Sequence, residues 1–169
     1  MVEYELMLSD VFIRLLLSFI LGGMIGWERM YTNRPAGLRT HIIVSISACT
    51  AMLVNYEVFA TFGRYTNMDP SRMGSYVISG IGFLGAGTII REGDKVKGLT
   101  TAASLWACAM IGLACGTGLY VLSIASTFCI LFTLFSINKF EHKISDKKRK
   151  GVIDNDLLES KNCSNSYKL

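Results

Sequence analysis

Charge is scarce in this chain of 169 residues, of which only 18% are Asp, Glu, Lys or Arg and 51% are apolar. Mean hydropathy is positive, a balance that argues against an ordinary soluble domain. Histidine is scarcer still, with His41 and His142 alone. There is no His/Cys metal set, no Cys-x-x-Cys pair and no Gly-x-Ser-x-Gly elbow, which removes the usual zinc, dithiol and serine-hydrolase chemistries. No enzymatic activity, cofactor, metal site or nucleic-acid partner is expected. Gly80–Gly85, reading GIGFLG, fits the dinucleotide fingerprint by letters but lies within an apolar run, without the strand and helix N-terminus that a pyrophosphate needs. The five cysteines, Cys49, Cys108, Cys115, Cys129 and Cys163, read as small packing residues, with Cys163 in the tail.

Basic residues are absent from the first nine positions, which hold Glu3 and Glu5. A cleavable leader needs a basic start and a small-x-small cleavage site, so the first apolar run is expected to stay in the protein. Up to Asn138 the charges cluster in short segments and leave five apolar stretches: Ser9–Trp27, His41–Phe62, Met73–Ile90, Thr100–Gly116 and Leu119–Asn138. At roughly 17–23 residues each, they can cross a hydrocarbon core about 30 Å thick. Lys and Arg set the orientation. The first loop, the third loop and the tail hold fourteen, whereas the second loop holds only Arg64 and Arg72. The expected fold is all-α and polytopic, with five transmembrane helices, the N-terminus outside and the C-terminus cytoplasmic. Residues 1–138 form the membrane domain. Residues 139–169 form a basic tail, helical at first and disordered from about Asn162.

Glycine and alanine are abundant where helices should touch. Lipid gives helices no hydrophobic reason to associate, so close backbone contact across small residues has to hold them. Ser18, Gly22 and Gly26 fall at intervals of four, as do Ser104, Cys108, Gly112 and Gly116, beside a parallel line of Ala103 and Ala107. Span three concentrates Gly80, Gly82, Gly85 and Gly87, while span five, rich in Leu, Ile and Phe, suits a peripheral helix. The connection at Thr117–Gly118 is short enough to make spans four and five antiparallel neighbours.

Two groups of polar residues stand out. Glu28, Arg29, Arg34, Arg39, Thr40, His41 and Arg91 gather at the inner mouth, with Glu92, Asp94, Lys95 and Lys97 nearby. They read either as interfacial anchors or as a functional cluster in which His41 titrates against Glu28 or Glu92. On the outer side, Asp69 is expected to cap span three, with Pro70 at the first helical position and Arg72 in the first turn. Arg14 is the one basic residue inside a span. It either snorkels to the outer interface or faces inward toward Asp69 and Glu57.

The blocks RPAGLRTHI at Arg34–Ile42, DPSR at Asp69–Arg72 and SGIGFLGAGTIIREGDKVKGLTTAASLWA at Ser79–Ala107 resemble the membrane domain of the MgtC/SapB family of bacterial inner-membrane proteins. The resemblance spans about Asp10 to Ile137 and implies a five-helix membrane domain. Carried over by motif are Arg34, Gly37, Arg39, Thr40, His41, Asp69, Arg72, Gly80, Gly82, Phe83, Gly85, Gly87, Gly98, Leu99, Thr100, Thr101, Ala102, Ala103 and Trp106. Family members are associated with growth under magnesium limitation, with survival inside host cells and, in one branch, with restraint of the ATP synthase. That virulence branch resembles LNTAATLWC where this chain reads LTTAASLWA, with Thr100 and Ala107 in place of its Asn and Cys. It also carries an ACT-like soluble domain, for which the tail here is too short, so the resemblance implies a short SapB-type member. The implied function is modulation of membrane energetics or magnesium homeostasis through helix contacts with a membrane partner or a second copy. The alternative is a small cation or solute transporter, against which stands the lack of a carboxylate deep in any span.

Overall fold

The computed structural model describes residues 7–62 and 69–136. Five helices follow one another: α1 Leu8–Tyr31, α2 Leu38–Phe62, α3 Arg72–Gly87, α4 Leu99–Gly116 and α5 Tyr120–Ser136. A two-stranded hairpin, β1 Ile90–Glu92 and β2 Lys95–Lys97, lies between α3 and α4. Three of the helices, α1, α2 and α4, are long and apolar enough to cross a membrane. α3 is shorter than expected at 16 residues, because Ile90 pairs with Lys97 in the hairpin instead of extending the helix. The basic tail, with its expected helical start and disordered end, and Arg64 lie outside the described residues. The described residues up to Leu131 belong to one compact unit.

α2 is the centre of that unit, packed on both α1 and α4. The reason lies in four glycines. A Cβ on Gly22 would sit 2.7 Å from Ser45 Cβ, and one on Gly26 would sit 2.8 Å from Leu38 Cα. On the other side, a Cβ on Gly112 would lie 2.9 Å from Ala48 Cβ and closer still to the Ser45 carbonyl oxygen. At Gly116 it would meet Cys49 O at 2.6 Å. Any side chain at these positions forces backbones apart, so the sequence lines Gly22/Gly26 and Gly112/Gly116 are where α1 and α4 touch α2. The parallel alanine line does not share that face: Ala103 is exposed, and Ala107 is half-buried beside a cleft toward α5. α3 differs again. A Cβ on Gly85 would lie an ordinary 3.6 Å from Ala102 Cβ of α4, whereas one on Gly80, Gly82 or Gly87 would find no neighbouring element within 4 Å. α5 buries one stripe, Ser123, Thr127 and Leu131, and exposes large apolar residues elsewhere, as expected of a peripheral helix.

Specific chain chemistry ends the helices. After α4, the Gly118 N–H bonds Cys115 O and the Leu119 N–H bonds Ala114 O, with Gly118 at φ +80. This is a Schellman motif, and it needs a left-handed residue at that position. α1 ends the same way around Asn33, at φ 52, with the Arg34 N–H on Arg29 O. Gly98 opens α4 at φ +90, where an added Cβ would collide with the Thr88 carbonyl. In the hairpin, Gly93 at φ 60 precedes Asp94 between the strands, the loop pattern of a II′ turn. Before α3, Asp69 Oδ1 accepts from Ser71 N at 2.8 Å and Ser71 Oγ at 2.7 Å. Asp69 therefore caps the turn that leads into α3, and the helix itself begins at Arg72, two residues later than the position expected for Pro70.

Two outcomes follow from this packing. Gly112→Ala should lower stability by about 2 kcal/mol or more, since the obstacle is backbone. Gly82→Ala should leave stability unchanged or slightly higher. Thermal unfolding in detergent distinguishes them, and equal losses would contradict the assignment of faces. Hydrogen bonds from Ser71 hold the Asp69 carboxyl below its ordinary range, so the turn is fully formed above the usual Asp value of about 3.9 and loosens as pH falls through the lowered one. Faster amide exchange at Ser71 and Ser75 in acid, reproduced at neutral pH by Asp69→Ala, is the expected result.

Candidate functional site

Polar side chains are buried together where the end of α1 meets the starts of α2 and α4. Glu28 is 2% and Arg29 1% exposed, although both occupy the last turns of a helix. Gly26 permits this, because it lets Leu38 and His41 of α2 close over that end of α1. Arg29 Nε donates to Glu28 Oε2. Both remaining guanidinium nitrogens, Nη1 and Nη2, are buried without a hydrogen-bond partner among the described residues. A buried donor left unpaired costs about 1–3 kcal/mol, more when it is charged. Arg29 is therefore under-satisfied even with its carboxylate.

His41 lies fully buried in the same cluster. Its Nδ1 is 2.8 Å from Gly37 O and its Nε2 is 2.9 Å from Ser104 Oγ. A carbonyl can only accept, so Nδ1 carries a proton. Ser104 Oγ also lies 2.9 Å from Thr101 O, and the hydroxyl has one proton to give. With neutral His41 it must choose between Nε2 and Thr101 O. With imidazolium, Nε2–H donates to Ser104 Oγ, and all three bonds form together. The cluster thus holds a histidine whose protonation state sets a serine rotor.

Further along the bundle, Ser18 Oγ and Ser45 Oγ are 2.9 Å apart, and Ser45 Oγ donates to Ser18 O at 3.0 Å. At the opposite end, Arg14 Nη1 donates to Gly116 O at 2.8 Å. Arg14 thus faces inward, onto the carbonyl end of α4, where a cation is favoured. Of the two expectations for Arg14 the inward one describes the geometry, but its bond is to a backbone carbonyl, while Asp69 is engaged by Ser71 and Arg72 by Tyr76. Arg14, Asp69 and Arg72 therefore do not form one hydrogen-bonded group.

The residues singled out at the other end divide in two. Glu28, Arg29 and His41 are brought together in the interior, whereas Arg34, Arg39, Thr40 and Arg91 are exposed around it. Arg91 Nε donates to Gly93 O within the hairpin, and Lys97 pairs with Glu92 at 2.6 Å in the open. Sequence reasoning overlooked Ser104, Thr101, Ser45 and Ser18 as hydrogen-bonding members. Ser18 and Ser104 were visible in the small-residue lines, but there a hydroxyl reads as bulk, and its partner comes from another helix. Among the described residues no group of three or more His, Cys, Asp or Glu side chains could hold a metal ion.

The family model of the MgtC family matches residues 15–143. Protein SapB of Bacillus subtilis (strain 168) is 40% identical over 76% of this chain and 55% of its own length. YhiD of Escherichia coli (strain K12), named provisionally as a magnesium transporter, is 36% identical over 83% of this chain and 66% of its own. Protein MgtC of Brucella abortus (strain 2308) is 43% identical over 68% of this chain and 45% of its own. The chain thus spans about half to two thirds of the length of these relatives. No solved structure matches it significantly.

Glu28→Ala is expected to cost about 3–5 kcal/mol, because it strands a buried guanidinium. Adding Arg29→Met should recover part of that loss. Strictly additive losses in thermal unfolding would contradict a coupled pair.

Proposed function

The chain belongs to the MgtC family, and from that premise we propose that it is a non-enzymatic modulator of membrane energetics or magnesium homeostasis in the bacterial inner membrane. Its five helices would all span, with the N-terminus outside and the C-terminus cytoplasmic. The bias of fourteen basic residues against two supports that orientation. The hairpin and the α1–α2 connection then face the cytoplasm, level with the buried Glu28–Arg29–His41 cluster.

The observation that carries the reading is the unequal use of small residues. The glycines of α1 and α4 are consumed in the core, but a Cβ added at Gly80, Gly82 or Gly87 of α3 would find open space within 4 Å. Ser75, Ser79 and Ala86 are exposed on the same helix. A transmembrane surface of this kind admits another helix to backbone contact, from a larger membrane complex or a second copy. The second reading, transport of a small cation or solute, draws on the buried hydroxyls of Ser18, Ser45 and Ser104 and on the magnesium-transport name given to YhiD.

One pair of measurements separates them. Wild-type protein purified in mild detergent should carry a stoichiometric partner or a second copy. Gly82→Leu should lose it while unfolding at the same temperature. In sealed liposomes neither protein should pass magnesium or protons above protein-free controls. Saturable flux abolished by Arg39→Ala or Asp69→Ala would reverse the ranking.

A further inference from the structure

The geometry points to a phosphate-binding site at the end of α1, built on the Nη1 and Nη2 edge of Arg29. Arg29 is 1% exposed, and its Nε is taken by Glu28. The two outer nitrogens are buried with no partner among the described residues. These nitrogens present parallel N–H groups that match two oxygens of one oxyanion, a fit that lysine cannot reproduce.

The surroundings favour the same charge. Arg34, Arg39, Arg91, Lys95 and Lys97 are exposed on the segments that ring the cluster, against the exposed acids Glu92 and Asp94, of which Glu92 is paired with Lys97. Exposed cations around a buried guanidinium draw anions toward it. Within the cluster, Glu28 offsets the charge of Arg29, and His41 lies in electrostatic reach of both. Phosphate is the oxyanion that suits this position. In the five-span orientation proposed above, on which this step rests, the cluster sits at helix ends at the depth of the lipid headgroups, so a phospholipid phosphodiester and free cytoplasmic phosphate present the same chemistry to it. The site does not depend on whether the protein modulates or transports.

The test uses the whole chain in dodecyl maltoside and phosphate-free buffer, pre-incubated because Arg29 is closed off from solvent. Sodium phosphate is titrated against sodium chloride at equal ionic strength. Phosphatidylglycerol in mixed micelles is titrated against diacylglycerol. A saturable rise in unfolding temperature of about 5–10 °C at a hundredfold excess over Kd is expected in at least one arm. A rise with both ligands identifies a site open to the free ion, and a rise with phosphatidylglycerol alone a headgroup site. Arg29→Lys should weaken the effect at least tenfold. Hydrogen exchange of the wild-type protein locates the ligand without any variant, with protection expected within residues 26–41 and 99–104. No saturable rise in either arm, an undiminished rise in a folded Arg29→Lys protein, or protection confined to other segments would overturn the proposal.

Discussion

Everything in this bundle depends on the closeness with which α1 and α4 approach α2 around Ser45. On one side the Ser45 side chain fills the space left by Gly22, and on the other its carbonyl faces Gly112. In water, burial of apolar area would hold three such helices together at ordinary separations. Surrounded by lipid, they gain nothing from apolar burial that lipid does not already provide, and stability comes from dispersion contacts that grow as the backbones draw near. Glycine costs a helix about 1 kcal/mol relative to Ala in water. Here it is what makes contact at that range possible.

The same closeness creates the polar interior. Once Gly26 lets the start of α2 settle on the end of α1, Glu28 and Arg29 have no exit to solvent and must find partners inside. The serines show a milder version. Ser18 and Ser45 bond across the α1–α2 contact, and Ser104 reaches His41 from α4. Small residues let the helices meet, and the hydroxyls among them then hydrogen-bond across the contact. Packing and site chemistry therefore share one origin, which is why the buried cluster and the tightest helix contacts occupy the same three helices.

Much of this could be read from the residues alone. The order of five helices and the small-residue lines at Ser18–Gly26 and Ser104–Gly116 follow from local pattern, because apolar length and spacing are properties of single segments. The peripheral character of α5 was equally legible in its Leu, Ile and Phe content, but its buried stripe of Ser123, Thr127 and Leu131 was not. What escaped was whatever depends on two segments meeting. The glycines of α3 look in sequence like those of α4, yet of Gly80, Gly82, Gly85 and Gly87 only Gly85 faces another helix closely. Nothing in the spacing says which neighbour will arrive. Arg14 could not be assigned to the α4 carbonyl end before the Gly118 turn placed Gly116 beside it. Likewise, the seven residues expected at one mouth separate into three buried and four exposed only because the helix ends overlap as they do.

The central claim, that α1, α2 and α4 meet at backbone range around Ser45 inside a bilayer, is tested most directly by solid-state NMR of the labelled protein in lipid. Carbonyl-to-Cα correlations between Ser45 and Gly112, together with Ser18–Ser45 side-chain correlations, are the result this account requires. Gly112 in contact with lipid acyl chains, with no correlation to Ser45, would contradict it.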